Sequence, residues 1–259
     1  MENKKFKDMA IKAAVCAGEY AKSNFGKALK ISFKGRINIV TEVDKKSERM
    51  IVKLIRSKFP DHSILSEEMG QELTGSEYKW VIDPLDATTN YSHGFPFFCV
   101  SVALERQNEV ILGAVYDPIR DELFFAEKNK GAFLNKKRIS VSRIKDLSKS
   151  LLATGFSYRV REDRTNLRHF ENFIASSQAI RRAGSAALDL CYVACGRFDG
   201  FWEMGLFHWD MAAGSLIIEE AGGAISDFRG KNLSIYNGDI LASNGRIHSQ
   251  MIKVLKKAA

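Results

Sequence analysis

An apolar run, Trp80-Val81-Ile82, delivers two aspartates three residues apart, Asp83 and Asp86, followed by Thr88, Thr89 and Asn90. Carboxylates at the end of a strand can converge on a hard cation, which takes several oxygen ligands. Pro84 restricts the backbone between them. If a helix begins near Ala87, its free N–H groups offer an anion site beside the cation. One turn could then supply both a cation site and a phosphate cradle. A phosphate monoester dianion repels nucleophiles, so hydrolysis requires that its charge be screened before water approaches. On its own, D-x-x-D also reads as a turn aspartate and a helix cap. Two further acidic positions bear on the choice. Ser66-Glu67-Glu68 closes a short strand upstream, where a solvated Glu pair is the plain alternative. His208-Trp209-Asp210-Met211-Ala212-Ala213-Gly214 sets an acid ahead of an apolar helix, as a cap or as a ligand. Gly222-Gly223 after that helix means only a tight turn.

The elements that must hold these residues follow from periodicity. Phe6, Met9, Ala10, Ala13, Ala17, Tyr20 and Ala21 keep helical spacing, with Gly26 where a C-terminal cap belongs. A second helix is expected from Asp44, as N-cap, to Phe59, stopped by Pro60. Between them Lys34-Gly35-Arg36 reads as a basic, mobile loop. Strands are expected at Ser63–Ser66 and Lys79–Ile82, then a meander of Phe97–Glu105, Val110–Tyr116 and Leu123–Glu127. After Ser150 strands and helices alternate: strand 151–154, helices near 167–176 and 185–195, strand 200–203, helix 211–220, strands 224–227 and 240–242. That alternation predicts an α/β layered sandwich, with a soft boundary near residues 140–150. The division is 1–146, helices and antiparallel sheet, and 147–259, an α/β half, with the site at their junction.

With 259 residues, 45% apolar and 27% charged, the chain has ordinary globular composition. The N-terminus lacks the apolar core of a signal peptide, and the longest apolar stretch, near Phe95–Leu104, falls short of a bilayer span. Cys16, Cys99, Cys191 and Cys195 show no metal-ligand spacing, and a reduced, cytoplasmic protein is the expectation. The net charge of +8 suits anionic ligands: phosphorylated metabolites, nucleic acid or lipid. Apart from clusters at Lys136–Arg138 and Arg159–Arg168 the basic residues are scattered. His93 is expected to make a structural hydrogen bond, His208 to pack, and Trp80, Trp202 and Trp209 to lie in the core.

The stretch Trp80 to Pro96 resembles the signature of the inositol monophosphatase family, magnesium-dependent and lithium-sensitive phosphatases. Trp209–Gly214 with Glu220-Ala221-Gly222-Gly223 resembles its second signature. Further matches are Ser66-Glu67-Glu68, Val40–Asp44, Arg182–Ala187 and Trp202–Gly205, in the family's order across nearly the whole chain. The resemblance implies that Glu67, Asp83 and the Leu85 carbonyl hold one Mg²⁺. Asp83, Asp86 and Asp210 hold a second, with Asp83 bridging, and Glu67 with waters could support a third. Thr88, backed by Asp44, would orient the attacking water, and the N–H groups of Ala87 and Thr88 would take phosphate oxygens. Gly184, Ser185, Ala186 and Glu203 would line the alcohol half, with Asp210 contacting a hydroxyl. The family has Gly where this chain has Ala87. Ala is expected to sit in the first helical turn without positive φ, crowding the phosphate slightly.

The resemblance also implies a homodimer. Inositol-1-phosphate is the leading substrate. Fructose 1,6-bisphosphate comes next, then NADP or an adenosine bisphosphate, for whose base no insertion makes room. A regulator that binds RNA or protein is the reading from another class, supported only by the +8 charge.

Overall fold

The computed structural model of the chain describes residues 2–33, 39–157 and 163–258. The expected mobile loop Lys34–Arg36 and part of the basic cluster at 159–168 lie outside them. Helix α1 (Glu2–Asn24) presents its alanine stripe to the core and ends at Gly26, whose φ of 77° supplies the expected cap. A hairpin of β1 (Ile31–Phe33) and β2 (Ile39–Thr41) leads into α2 (Glu42–Arg56). The α2 N-cap is Thr41, not Asp44. The Asp44 carboxylate reaches back one turn to the Thr41 N–H at 2.8 Å, a capping box.

The large sheet comprises β3 (Ser63–Ser66), β4 (Gly70–Glu72), β5 (Tyr78–Asp86), β6 (Cys99–Arg106), β7 (Glu109–Asp117), β8 (Glu122–Glu127), β9 (Gly131–Leu134) and β10 (Lys137–Arg138). Its order is β10-β9-β8-β7-β6-β5-β3-β4, so the predicted meander is present and extended by strands too short to show a period. The one-turn helix α3 (Thr88–Ser92) sits between β5 and β6. The second half holds β11 (Leu151–Thr154), α4 (Thr165–Ile174), β12 (Ala179–Arg181), α5 (Ala186–Ala194), β13 (Gly200–Glu203), α6 (His208–Glu220), β14 (Ala224–Ser226), β15 (Ile240–Ser243) and α7 (His248–Leu255). These strands form a mixed sheet, β12-β11-β13-β15-β14. Helices and sheets therefore stack as α/β layers.

Alternation along β5 decides which layer each residue meets. Trp80 and Ile82 face α1 and α2, in a core with Phe6, Ile51 and Ile55, while Val81 faces α5 and α6. The α6 helix comes so close to the large sheet that a Cβ on Gly113 would lie 2.8 Å from the Ala213 Cα and carbonyl oxygen. No helix among the described residues is long and apolar enough to cross a membrane.

Candidate active site

Strand register brings the first acids together. Ser66 of β3 pairs in parallel with Ile82 of β5, so Glu67 and Asp83 leave adjacent strands at the same level. A spacing of three would put Asp83 and Asp86 on opposite faces of a regular strand. Here the register slips: Asp83 pairs with Ser101 and Asp86 with Cys99, so Pro84 and Leu85 bulge between them. The bulge re-aims Asp86. Asp210, in the first turn of α6, completes the group, its Oδ2 accepting from the Phe207 N–H at 2.7 Å.

Electrostatics register the convergence. Burial, then the charges of Glu67, Asp86 and Asp210, hold the Asp83 carboxyl well above the usual carboxylate range. Asp210 is likewise raised by burial and by Asp86. Asp86 is raised by burial, and the Ser185 hydroxyl and the Ala187 N–H offset part of the penalty. Among the described residues no three His, Cys, Asp or Glu side chains stand close enough to hold a metal ion as they are. Glu67, Asp86 and Asp210 are thus near enough to act on Asp83, without three of these side chains gathering at one point. Their donor set, all oxygen and acidic, suits a hard divalent cation.

Each acid is oriented by its neighbours. Asp83 Oδ1 accepts from the Leu85 N–H at 3.0 Å. Asp86 Oδ2 accepts from Ser185 Oγ at 2.5 Å and from the Ala187 N–H at 2.9 Å. Ser185 is fully buried and also caps α5, its hydroxyl donating to Asp86 and accepting from the Leu188 N–H. Thr88 Oγ1 lies 2.7 Å from Asp44 Oδ1 and 3.1 Å from the Leu85 carbonyl, which places three predicted residues in one buried chain of contacts. Burial raises the Asp44 carboxyl, opposed by hydrogen bonds from Thr41 and Thr88.

Ala87 corrects the sequence reading. It is not in the helical turn but ahead of it, at φ 74° and ψ 46°, in the left-handed region. The chain must turn from strand to helix within one residue, and that geometry, not helix propensity, sets its backbone. Gly184, also predicted, has φ 93°, and a Cβ there would lie 2.8 Å from the Arg182 guanidinium. Ala186 is buried at the start of α5. Glu203, at the end of β13, is 7% exposed, and burial pushes its carboxyl up to about 8, against the opposing Arg182 charge. Trp80 and Trp202 are core residues, whereas Trp209 is only half-buried and stacks on the exposed Phe207 at 4.9 Å. His93 is exposed at the end of α3, and the expected structural hydrogen bond has no counterpart among the described contacts. His208 packs between Trp209 and Tyr236.

Residues missed by the sequence reading support this group. Glu48 Oε1 accepts from Ser66 Oγ and from the Glu68 and Met69 N–H groups, fixing the turn that carries Glu67. Its signal was readable: Asp44 and Glu48 lie one turn apart among the apolar residues Val43, Ile51 and Ile55 of α2. Asn90 Nδ2 donates to the carbonyls of Phe97 and Ala183, both at 2.8 Å, and ties the two halves together. Asp189, 1% exposed, faces Glu203 and Arg182 and no spacing pointed to it.

The sequence profile of the inositol monophosphatase family matches residues 2–259. The inositol-1-monophosphatase of Synechocystis sp. is 45% identical over 251 residues, 96% of this chain and 88% of that protein. The Nus factor SuhB of Escherichia coli K12 is 43% identical over 249 residues, 95% and 93% of the two chains. Among solved structures, extragenic suppressor protein suhB from Bartonella henselae superposes with a TM-score of 0.93 at 40% identity, covering 97% and 98%. Inositol monophosphatase from Anabaena sp. gives 0.91 at 43%, covering 99% and 97%. With its layered fold and these likenesses along its whole length, the chain belongs to the inositol monophosphatase family and is a phosphoric monoester hydrolase.

Proposed function

We propose that the protein hydrolyses a small phosphomonoester with Mg²⁺, and that inositol-1-phosphate is its substrate. The observation that carries this is the convergence of Glu67 and Asp210 on the Asp83–Asp86 bulge. Glu67, Asp83, Asp86, Asp210 and the Leu85 carbonyl would hold two Mg²⁺ ions, which supply charge screening, water activation and stabilisation of the leaving alkoxide.

The chain's own groups do the rest. Asp44 takes the Thr88 hydroxyl proton in a hydrogen bond, which leaves Thr88 Oγ1 lone pairs to accept from a water and orient it. The N–H groups at Ala87 and Thr88 would receive phosphate oxygens. Glu203, protonated over much of neutral pH, can donate to a substrate hydroxyl.

Phosphate release from inositol-1-phosphate, fructose 1,6-bisphosphate and NADP, with Mg²⁺ or with EDTA, tests the reading. Turnover should favour the first, vanish in EDTA, and vanish in Asp83→Asn with the fold retained. Activity persisting in EDTA refutes it. The relatives named SuhB and the +8 charge favour a second role in binding RNA or a protein partner. A mobility shift on RNA that survives physiological salt would support that role.

A further inference from the structure

Asn90 joins three stretches of chain. It stands in α3, directly after the Asp83–Asp86 bulge, and its Nδ2 donates to the Phe97 carbonyl, ahead of β6, and to the Ala183 carbonyl, ahead of α5, both at 2.8 Å. Two carbonyl partners settle which way the amide points, because only its nitrogen can donate. Asp86 holds the second of these stretches farther along, through Ser185 Oγ and the Ala187 N–H. Segment 183–187 is therefore gripped from both ends by the turn that carries the metal-binding acids, with Gly184 between the anchors.

The Ala183 carbonyl and the Gly184 N–H belong to one planar, trans peptide group, so they point in opposite directions. With the carbonyl held on Asn90, the N–H is held on the other side, and among the described residues it has no acceptor. The Ala186 N–H, in the first turn of α5, lacks one as well. Nothing in Gly184 itself opposes a flip of its peptide, because glycine takes positive and negative φ about as readily. Gly184 stands at φ 93°, and a Cβ there would lie 3.2 Å from both the nitrogen and the oxygen of the Asn90 amide. The Asn90 hydrogen bond thus selects one orientation of a peptide that is otherwise free to turn over.

We propose that Asn90 is a positioning residue, which holds the Gly184 N–H toward the alcohol half of the substrate and so sets a preference for a polyol phosphate over a simple alkyl phosphate. Asn90 touches no reacting atom and acts on the substrate through the peptide it holds. This role rests on the phosphatase reading, in which Ala87 and Thr88 receive the phosphate.

Turnover of inositol-1-phosphate and of ethyl phosphate by the full chain at saturating Mg²⁺ tests it, together with inhibition by inorganic phosphate. Asn90→Leu keeps the side chain's shape and removes the donor. Gly184→Ala disfavours positive φ, and with it the selected orientation, while leaving Asn90 in place. In each, kcat/KM for inositol-1-phosphate relative to ethyl phosphate should fall about threefold to tenfold, the worth of one substrate hydrogen bond, and the loss should lie in KM. Inorganic phosphate should inhibit as it does the unaltered protein. Circular dichroism checks that both variants fold, and Gly184→Ala decides the matter should Asn90→Leu not fold. An unchanged preference in the folded variants, an equal loss with both esters, or phosphate inhibition weakened as far as KM would each overturn this role alone. No Mg²⁺-dependent turnover of either ester by the unaltered protein would overturn the phosphatase reading, and this role with it.

Discussion

Replacing Ala87 by Gly distinguishes the left-handed backbone from the helical one that the sequence suggests. At φ 74° and ψ 46° the Ala87 Cβ crowds the following carbonyl, at a cost of about 1–2 kcal/mol that Gly avoids. Against this, Gly enlarges the unfolded ensemble by about 0.4–1 kcal/mol. The methyl is also half-buried at the edge of the Leu85, Tyr91 and Phe98 cluster, and losing it forfeits about 0.4 kcal/mol. The balance runs from a loss of about 0.4 kcal/mol to a gain of about 1.2 kcal/mol. Were Ala87 in a right-handed helical turn, the same change would cost about 1 kcal/mol. Urea unfolding of the two proteins at equal Mg²⁺ separates the cases, as does Tm, which moves about 2–4 °C per kcal/mol at this size. Because the N–H is retained, the KM for inositol-1-phosphate should change little. A loss of 1 kcal/mol or more on introducing Gly would refute the left-handed assignment.

Glu203 makes metal-free stability depend on pH. Its folded pKa of about 8 exceeds the ordinary 4.5, so its contribution is complete below about pH 4.5 and is lost as pH rises through 8. In EDTA stability should fall across that window by about 5 kcal/mol at most from this group. Asp83, Asp189 and Asp210 shift in the same direction. Glu203→Gln should flatten part of the slope in urea unfolding at pH 5 and 8, and an unaltered slope would contradict the assignment. Ser185→Ala removes the α5 cap and a hydrogen bond to buried Asp86, with an expected loss of about 1–3 kcal/mol. Denaturation showing less than about 0.5 kcal/mol would mean that Asp86 finds another donor. Gly113→Ala forces a methyl against the Ala213 backbone and should cost about 1–3 kcal/mol while raising KM, because α6 carries Asp210. An unchanged KM would show that the helix absorbs the shift without moving its first turn.

What could be read from the chain depended on the range over which its physics acts. The meander β6–β8 and the helices α1, α2 and α6 announce themselves through apolar spacing, which local contacts enforce. The strands β9, β10 and β12 are two to four residues long and owe their existence to a neighbour's edge. The short acidic motifs marked which residue types would meet, but not how. Asp86 reaches Ser185 across 99 residues, and Thr88 reaches Asp44 across 44. Nothing within one turn of either residue reports such pairs. The D-x-x-D spacing even argues against a shared face until the β5 bulge is known. Pro84 and Leu85 make that bulge, and Ala87 then bears the backbone turn that re-enters a helix. Local propensity favours a right-handed Ala, yet the anchored ends of the turn, Asp86 on α5 and Thr88 on Asp44, leave the residue between them no such choice. The strain at Ala87 therefore follows from the anchoring of both its neighbours, and it should relax in any variant that releases either anchor.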